Sequence, residues 1–276
     1  MFTTRLQVIC DPEFSEILMA EIAEAGFDSF LETEEGFEAY TAGEAFDKQQ
    51  LEFIRKKYHH VSPLIFFQDR IQKRNWNDEW EKSIQPVIVE NKVIIRAEFH
   101  PASHSHPIEI VITPKMSFGT GHHQTTYLMV KNQLAIDHVG KKVMDVGCGT
   151  AILSILACKL GAARVEAFDI DEWSVVNGGE NISNNKCHNI RLQRGRLVEL
   201  SFDESFDILL ANINKNILME EMPQYAERLS PQGQILISGF FESDVPDLAG
   251  RASQFDLHVS GQDIRENWAL LLLSRK

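Results

Sequence analysis

No stretch of this chain approaches the roughly 18 uninterrupted apolar residues that a membrane-spanning helix needs. The opening "MFTTRLQVICDPEF" also has no basic stretch followed by a long apolar run, so the expectation is a soluble, cytoplasmic protein. Cysteine is scarce. Cys10, Cys148, Cys158 and Cys187 form no CxxC pair and no framework of a short secreted chain, which argues against a zinc knuckle or a disulfide scaffold and leaves free thiols. Positive charge is in short supply too: 27 Lys and Arg face 40 Asp and Glu, for a net charge of -13 and a pI of about 5.2. Such a surface repels phosphate backbones and attracts basic partners, so a bare nucleic-acid substrate is disfavoured.

The 276 residues are 43% hydrophobic, enough for one large domain or two modest ones. "FTTRLQVIC" alternates like a strand, and "PEFSEILMAEIAEAG" has helical apolar spacing closed by Gly26. "DSFLET" and "GFEAYTA" read as strands around an acidic turn, "EAFDKQQLEFIRKKYHH" as a helix and "PLIFFQ" as a fourth strand. The β-α-β-β-α-β order is that of a ferredoxin-like module, placed at residues 1–71. Residues 72–100 are expected to link, with Trp76 and Trp80 on one face of a helix that stops before Pro86 and a hairpin around Glu90 and Asn91. "HPASHSHP" is a loop. From Lys141 short apolar strands alternate with helices through 276, which predicts a doubly wound, mostly parallel α/β sheet; only a turn near Arg265 to Asn267 separates the last two strands, so the end carries an antiparallel strand.

Inside that second domain, "DVGCGTAILSI" puts Gly147 and Gly149 after a strand and before a helix, where a tight turn lets a nucleotide-like ligand approach the helix N-terminus. A dinucleotide fingerprint would have glycine at position 152, but Ile152 stands there, which weakens hydride-transfer chemistry. Asp169, about 20 residues on, is placed to bind ribose hydroxyls, with Asp171 as rival. Other signals point to chemistry less well. His104, His106, His122 and His123 lack partners at metal-ligand spacing, so no metal is expected. Cys148 reads better as a small buried residue than as a nucleophile, and Arg70, Lys73 and Arg74 better as a solvated face than as a phosphate site.

"DVGCGTAILSI", "DID", "LLANI" and the antiparallel tail resemble a class I S-adenosylmethionine-dependent methyltransferase. With "FGTGHHQTT" at Phe118 to Thr126, the Trp-containing connector and the N-terminal module, the whole chain is similar to the bacterial ribosomal protein L11 methyltransferase family. That resemblance implies a seven-stranded Rossmann-like sheet at 101–276, a substrate-recognition domain at 1–71, and methylation of lysine ε-amino and N-terminal α-amino groups of L11, free or on the ribosome. It implies S-adenosylmethionine held by Thr120, Gly121, Thr125, Asp145, Gly147, Gly149, Asp169 and Asn212. The Asn212 amide oxygen and the Ile213 carbonyl would orient the acceptor amine. Two departures stand out: Ala151 replaces a frequent glycine, and "ANIN" lacks the Asn-Pro-Pro-aromatic motif of many amine methylators, which leaves the aromatic wall of the acceptor site unassigned. An RNA or protein-glutamine methyltransferase, and a noncatalytic donor-binding adaptor, are the competing readings. The acidic turn Glu32, Glu34 and Glu35 could meet a lysine-rich partner or simply be solvated.

Overall fold

The computed structural model describes residues 2–59, 64–72, 84–103, 105–113, 115, 118–202 and 204–275. The Trp76 and Trp80 helix, Lys73, Arg74 and His104 lie outside them. The chain divides into two compact units, Met1–Ser83 and Ile84–Lys276.

The first unit runs β1 (Phe2–Cys10), α1 (Pro12–Glu24), β2 (Ser29–Thr33), β3 (Gly36–Ala42), α2 (Lys48–Lys57) and β4 (Leu64–Gln72). Its antiparallel sheet has the order β2-β3-β1-β4, the split arrangement expected. Gly26 leaves α1 at φ +104°, where a Cβ would stand 2.7 Å from the Ala45 carbonyl oxygen, so only glycine fits the turn. Helix α2 starts later than the apolar spacing suggests because the Asp47 carboxylate accepts from the Gln49 and Gln50 amides at 2.8 and 3.1 Å and fixes the N-terminus there. Leu6, Val8, Leu18, Ile22, Phe37 and Ile54 form the core. Arg70, one of the three candidate phosphate cations, pairs with Glu44 and lies over the Phe2 ring.

The second unit begins with a small sheet, β5 (Val87–Val89), β6 (Val93–Arg96) and β7 (Ile108–Val111). Glu90 and Asn91, both at positive φ, make the hairpin turn between β5 and β6. Part of the segment assigned to a linker, 84–100, therefore supplies strands to the larger unit. Strand β7, which pairs parallel with β6, starts just after the "HPASHSHP" loop in a stretch to which no element is assigned from sequence: four residues are too few to show a period.

The main sheet follows: α3 (Gln124–Gln133), β8 (Lys142–Val146), α4 (Ile152–Lys159), β9 (Arg164–Asp169), α5 (Glu172–Asn184), β10 (Ile190–Arg194), β11 (Phe206–Asn212), α6 (Lys215–Arg228), β12 (Leu229–Phe241), α7 (Val245–Ser253), β13 (Leu257–Arg265) and β14 (Trp268–Arg275). The strand order is β10-β9-β8-β11-β12-β14-β13, parallel except for β14, which runs antiparallel to both neighbours. One core cluster joins α3, α4 and α5 to one face through Leu128, Ile152, Ile155 and Ile182. Another joins α6 and α7 to the other face through Leu218, Met222 and Leu248. Helices on both faces explain why β8 and β11 read as continuous apolar runs: both surfaces of these strands are covered. The chain leaves β8 toward β9 and β10 and returns on the opposite side at β11, so a ligand crevice is expected at the carboxyl ends of β8 and β11. Among the described residues no helix is long and apolar enough to cross a membrane.

Candidate functional site

At the end of β8 the chain turns through Gly147 (φ +65°), Gly149 (φ +52°) and Ala151 (φ 62°, ψ 20°) into α4. The turn is held by the Cys148 amide donating to the Phe168 carbonyl (3.0 Å) and the Ala151 amide donating to Cys148 (2.8 Å). A Cβ on Gly149 would stand 2.4 Å from the Phe118 carbonyl oxygen, and one on Gly147 would meet the Ile213 side chain at 2.6 Å. Ala151 is in the left-handed region where the related turns often have glycine, a conformation that costs an L-residue about 1–2 kcal/mol. Cys148 is buried, and burial together with the nearby Asp145 and Asp169 pushes its thiol well above the ordinary range, the opposite of an activated nucleophile.

The three acidic residues around the turn have different jobs. Asp169, at the end of β9, accepts the Gly149 amide on Oδ2 (2.8 Å) and the Asp171 amide on Oδ1 (3.0 Å), and it lines the adjacent cavity. Its rival Asp171 caps α5, accepting from Ser174 at 3.1 Å, so its carboxylate is occupied by the helix. Asp145 is 1% exposed; its Oδ2 accepts from the Ser154 amide (3.0 Å) and hydroxyl (2.5 Å), while Oδ1 has no partner among the described residues. Burial, with a smaller push from Asp169, raises this carboxyl to about 7 against the opposing Ser154 bonds.

The "FGTGHH" loop is seated on the glycine turn. The Thr150 amide donates to Phe118 (3.0 Å) and the Thr150 hydroxyl to Gly119 (2.7 Å). Gly119 and Gly121 take φ +106° and +94°, and a Cβ on Gly119 would collide with the Thr150 hydroxyl at 2.6 Å. Thr120 lies 3.2 Å from the His122 ring, which reaches the Gln85 carbonyl at 2.9 Å. Thr125 is fully buried at the start of α3, where its amide donates to the capping His123 ring. From α5, Asn181 clamps both layers: its Nδ2 donates to Thr150 (3.0 Å) and its Oδ1 accepts from the Thr113 amide (2.9 Å). One turn later, at the C-cap of the same helix, Asn185 accepts the Val111 amide (2.9 Å) and donates to the Val111 carbonyl (2.6 Å).

Across the crevice, β11 ends at Asn212, whose Oδ1 is buried without a partner among the described residues. Gly239 (φ +99°) brings β12 so close that a Cβ there would stand 2.2 Å from the Ile213 carbonyl oxygen. An aromatic group unforeseen from sequence gathers at this edge. Phe118 meets His123 edge-on at 5.1 Å, His123 meets Trp268 at 4.8 Å, and Trp268 lies against Phe241 at 4.2 Å. Phe118 and Phe241 are about half exposed, so the group presents an open aromatic surface. Four rings from three separated segments carry no common spacing; the one available signal was the Trp268 that follows the final turn. Among the described residues no group of three or more His, Cys, Asp or Glu is arranged to hold a metal ion.

A cavity of about 260 Å³ opens beside the glycine turn, bounded by Gly147, Phe168, Asp169, Ile170, Leu197 and Ile213. The sequence profile of the family described as ribosomal protein L11 methyltransferase (PrmA) matches residues 12–276. The chain belongs to the ribosomal protein L11 methyltransferase family. The ribosomal protein L11 methyltransferase of Porphyromonas gingivalis is 41% identical over 258 residues, covering 93% of this chain and 89% of that protein. The one from Phocaeicola vulgatus is 37% identical over 262 residues, 94% and 93% of the two chains. Among solved structures, the ribosomal protein L11 methylase of Lactobacillus delbrueckii subsp. bulgaricus has a TM-score of 0.62 at 29% identity and covers 70% of this chain and 100% of that one. A methyltransferase from Pyrococcus furiosus, at 15% identity and TM-score 0.51 over 60% of this chain and 88% of that one, shares the fold. Membership of the L11 methyltransferase family thus comes with a doubly wound sheet that carries, at the ends of neighbouring strands, a glycine turn, the Asp169 carboxylate and an amide oxygen without a partner among the described residues.

Proposed function

We propose that this protein methylates lysine ε-amino and N-terminal α-amino groups of ribosomal protein L11 with S-adenosylmethionine, which would place its work in the cytoplasm. The observation that carries this reading is the buried Asn212 Oδ1, without a partner among the described residues, at the end of β11, the strand beside β8 and its glycine turn. The residues fit such a donor: Gly147 and Gly149 leave room for close backbone approach, Asp169 offers acceptors for ribose hydroxyls, and the apolar cavity walls suit a nucleoside. Phe118 and Gly119, both bonded to Thr150, seat the loop on the turn, which supports a role for the neighbouring Thr120 and Gly121 at the donor. Asp145 and Thr125 support the site from behind, the first by pinning the start of α4 and the second by anchoring His123.

S-adenosylmethionine supplies a methyl carbon on a sulfonium: the amine lone pair forms the C–N bond as the C–S bond breaks, leaving a thioether, and the amine proton passes to water. A free lysine, with a pKa of about 10.4, must be neutral to react, and desolvation on this edge favours the neutral form. Asn212 Oδ1 and the Ile213 carbonyl accept its two N–H bonds and aim the lone pair, an orienting role rather than general-base catalysis. The Phe118, His123, Phe241 and Trp268 group supplies an aromatic wall for the apolar stem and the increasingly methylated, cationic head. In the first unit, the exposed Glu32, Glu34 and Glu35 suit a basic ribosomal protein, consistent with substrate recognition there.

The test is transfer of labelled methyl groups from S-adenosylmethionine to an unmodified ribosomal extract, with protein and RNA separated afterwards. Label should enter one small ribosomal protein and fall by at least about 100-fold for Asn212→Ala, the cost of losing alignment. Full turnover in Asn212→Ala refutes the orienting role, and label in RNA refutes the protein substrate.

A further inference from the structure

The cavity extends beyond the glycine turn and Asp169. Its far wall is one face of α6, where Ile217, Glu220, Glu221 and Gln224 follow at helical spacing. Gln224 Oε1 is buried there and has no partner among the described residues. A buried amide oxygen left in this state bears its full desolvation penalty unless a ligand or water brings a donor. Glu221 accepts the Tyr225 hydroxyl at 2.8 Å; burial raises its carboxyl above the usual range, Glu220 adds to the rise and Arg196 opposes it. This end of the cavity is thus rich in acceptors, while Phe168, Ile170, Leu197 and Ile213 make its remaining walls apolar.

The methyl donor has three parts to place. Its amino-acid end is a zwitterion, whose carboxylate Glu220 and Glu221 repel and whose two charges gain nothing from the apolar Phe168, Ile170 and Leu197 walls. Its ribose presents hydroxyls suited to Asp169, which lines the same cavity from the end of β9. Its adenine alone combines flat apolar faces with an amine donor at one edge. The enclosed volume of about 260 Å³ falls just under the roughly 300–1,000 Å³ of pockets that enclose whole ligands, which suits one end of the donor rather than all of it. Building on the donor assignment above, we propose that Gln224 Oε1 accepts a hydrogen bond from the exocyclic amine of the donor's adenine, so that α6 reads the base.

The discriminating experiment is calorimetric binding of S-adenosylhomocysteine and of its 6-desamino purine analogue to the full chain, with wild type, Gln224→Leu and the near-isosteric Gln224→Met. Wild type should bind the adenine compound about 10-fold more tightly, in keeping with one buried hydrogen bond. In both variants that ratio should fall below about 2, through weaker binding of the adenine compound and not tighter binding of the analogue. A folded Gln224→Met protein that keeps the wild-type ratio overturns the proposal, as does a wild type that fails to distinguish the two compounds. Wild type that binds neither overturns the donor assignment itself, so the two failures are separable.

Discussion

Replacing Asp145 by asparagine should change the pH dependence of stability more than it changes the shape of the site. The carboxyl is 1% exposed, one oxygen lacks a partner among the described residues, and its pKa stands at about 7 because burial penalises the anion more than the Ser154 bonds relieve it. A raised folded pKa favours the protonated, folded form. The resulting stability is fully present below the unfolded pKa of about 3.9 and is lost as pH rises through the folded value of about 7. Between about pH 5 and about pH 8 the ionisation traverses about two units of that window, and at about 1.4 kcal/mol per unit the loss is about 2–3 kcal/mol. Asp145→Asn keeps an oxygen for the Ser154 amide and hydroxyl and has no charge to desolvate. Urea unfolding of both proteins at the two pH values should therefore show wild type losing about 2–3 kcal/mol relative to the variant. A stability difference between the two that stays constant within about 0.5 kcal/mol would show that Asp145 is already ionised in the fold, and the account of its burial would be wrong.

Ala151→Gly removes left-handed strain of about 1–2 kcal/mol at the expense of one buried methyl worth about 0.8 kcal/mol, so the variant should be more stable by about 0.2–1.2 kcal/mol; a lower urea midpoint refutes this. Gly149→Ala forces a Cβ to within 2.4 Å of the Phe118 carbonyl, which must part the loop from the turn; donor binding measured by calorimetry should weaken at least about 10-fold, and unchanged affinity would mean the two layers need not touch. Phe118→Ala removes a ring that is 53% exposed, so stability should change by less than about 0.5 kcal/mol while KM for the protein acceptor rises several-fold; a large loss of stability with normal KM would make the ring structural.

The alternation from Lys141 onward was enough to anticipate the main sheet because each strand there is short, apolar and separated by an amphipathic helix. Its first and last helices escaped for local reasons. Helix α3 is capped by His123, an uncommon cap, and α7 is a short segment with Pro246 at its start and Gly250 inside, anchored by only Leu248 and Ala252. At the site, the placement of Gly147, Gly149, Asp169 and Asn212 could be read because each stands at or just after the end of a strand. Asp145 sits in the same motif, yet its side chain turns into the protein to Ser154, a direction that strand alternation alone does not fix. The aromatic group and Gln224 depend on segments that meet only after folding, and no local pattern links Phe118 to Trp268 or α6 to the turn after β8.

The asparagines of α5 do more than steady the donor loop. Strand β7 pairs with β6 on one side, and on its other side the Asn185 amide group takes both the amide and the carbonyl of Val111, while Asn181 takes the amide of Thr113. A side-chain amide has the same donor and acceptor as a peptide bond, so the helix presents these residues with the bonds that a neighbouring strand would have made. An exposed strand edge is a template for another chain. Here the end of β7 is already answered from within the molecule, and exchanging both asparagines for leucine would expose that edge and favour self-association through it.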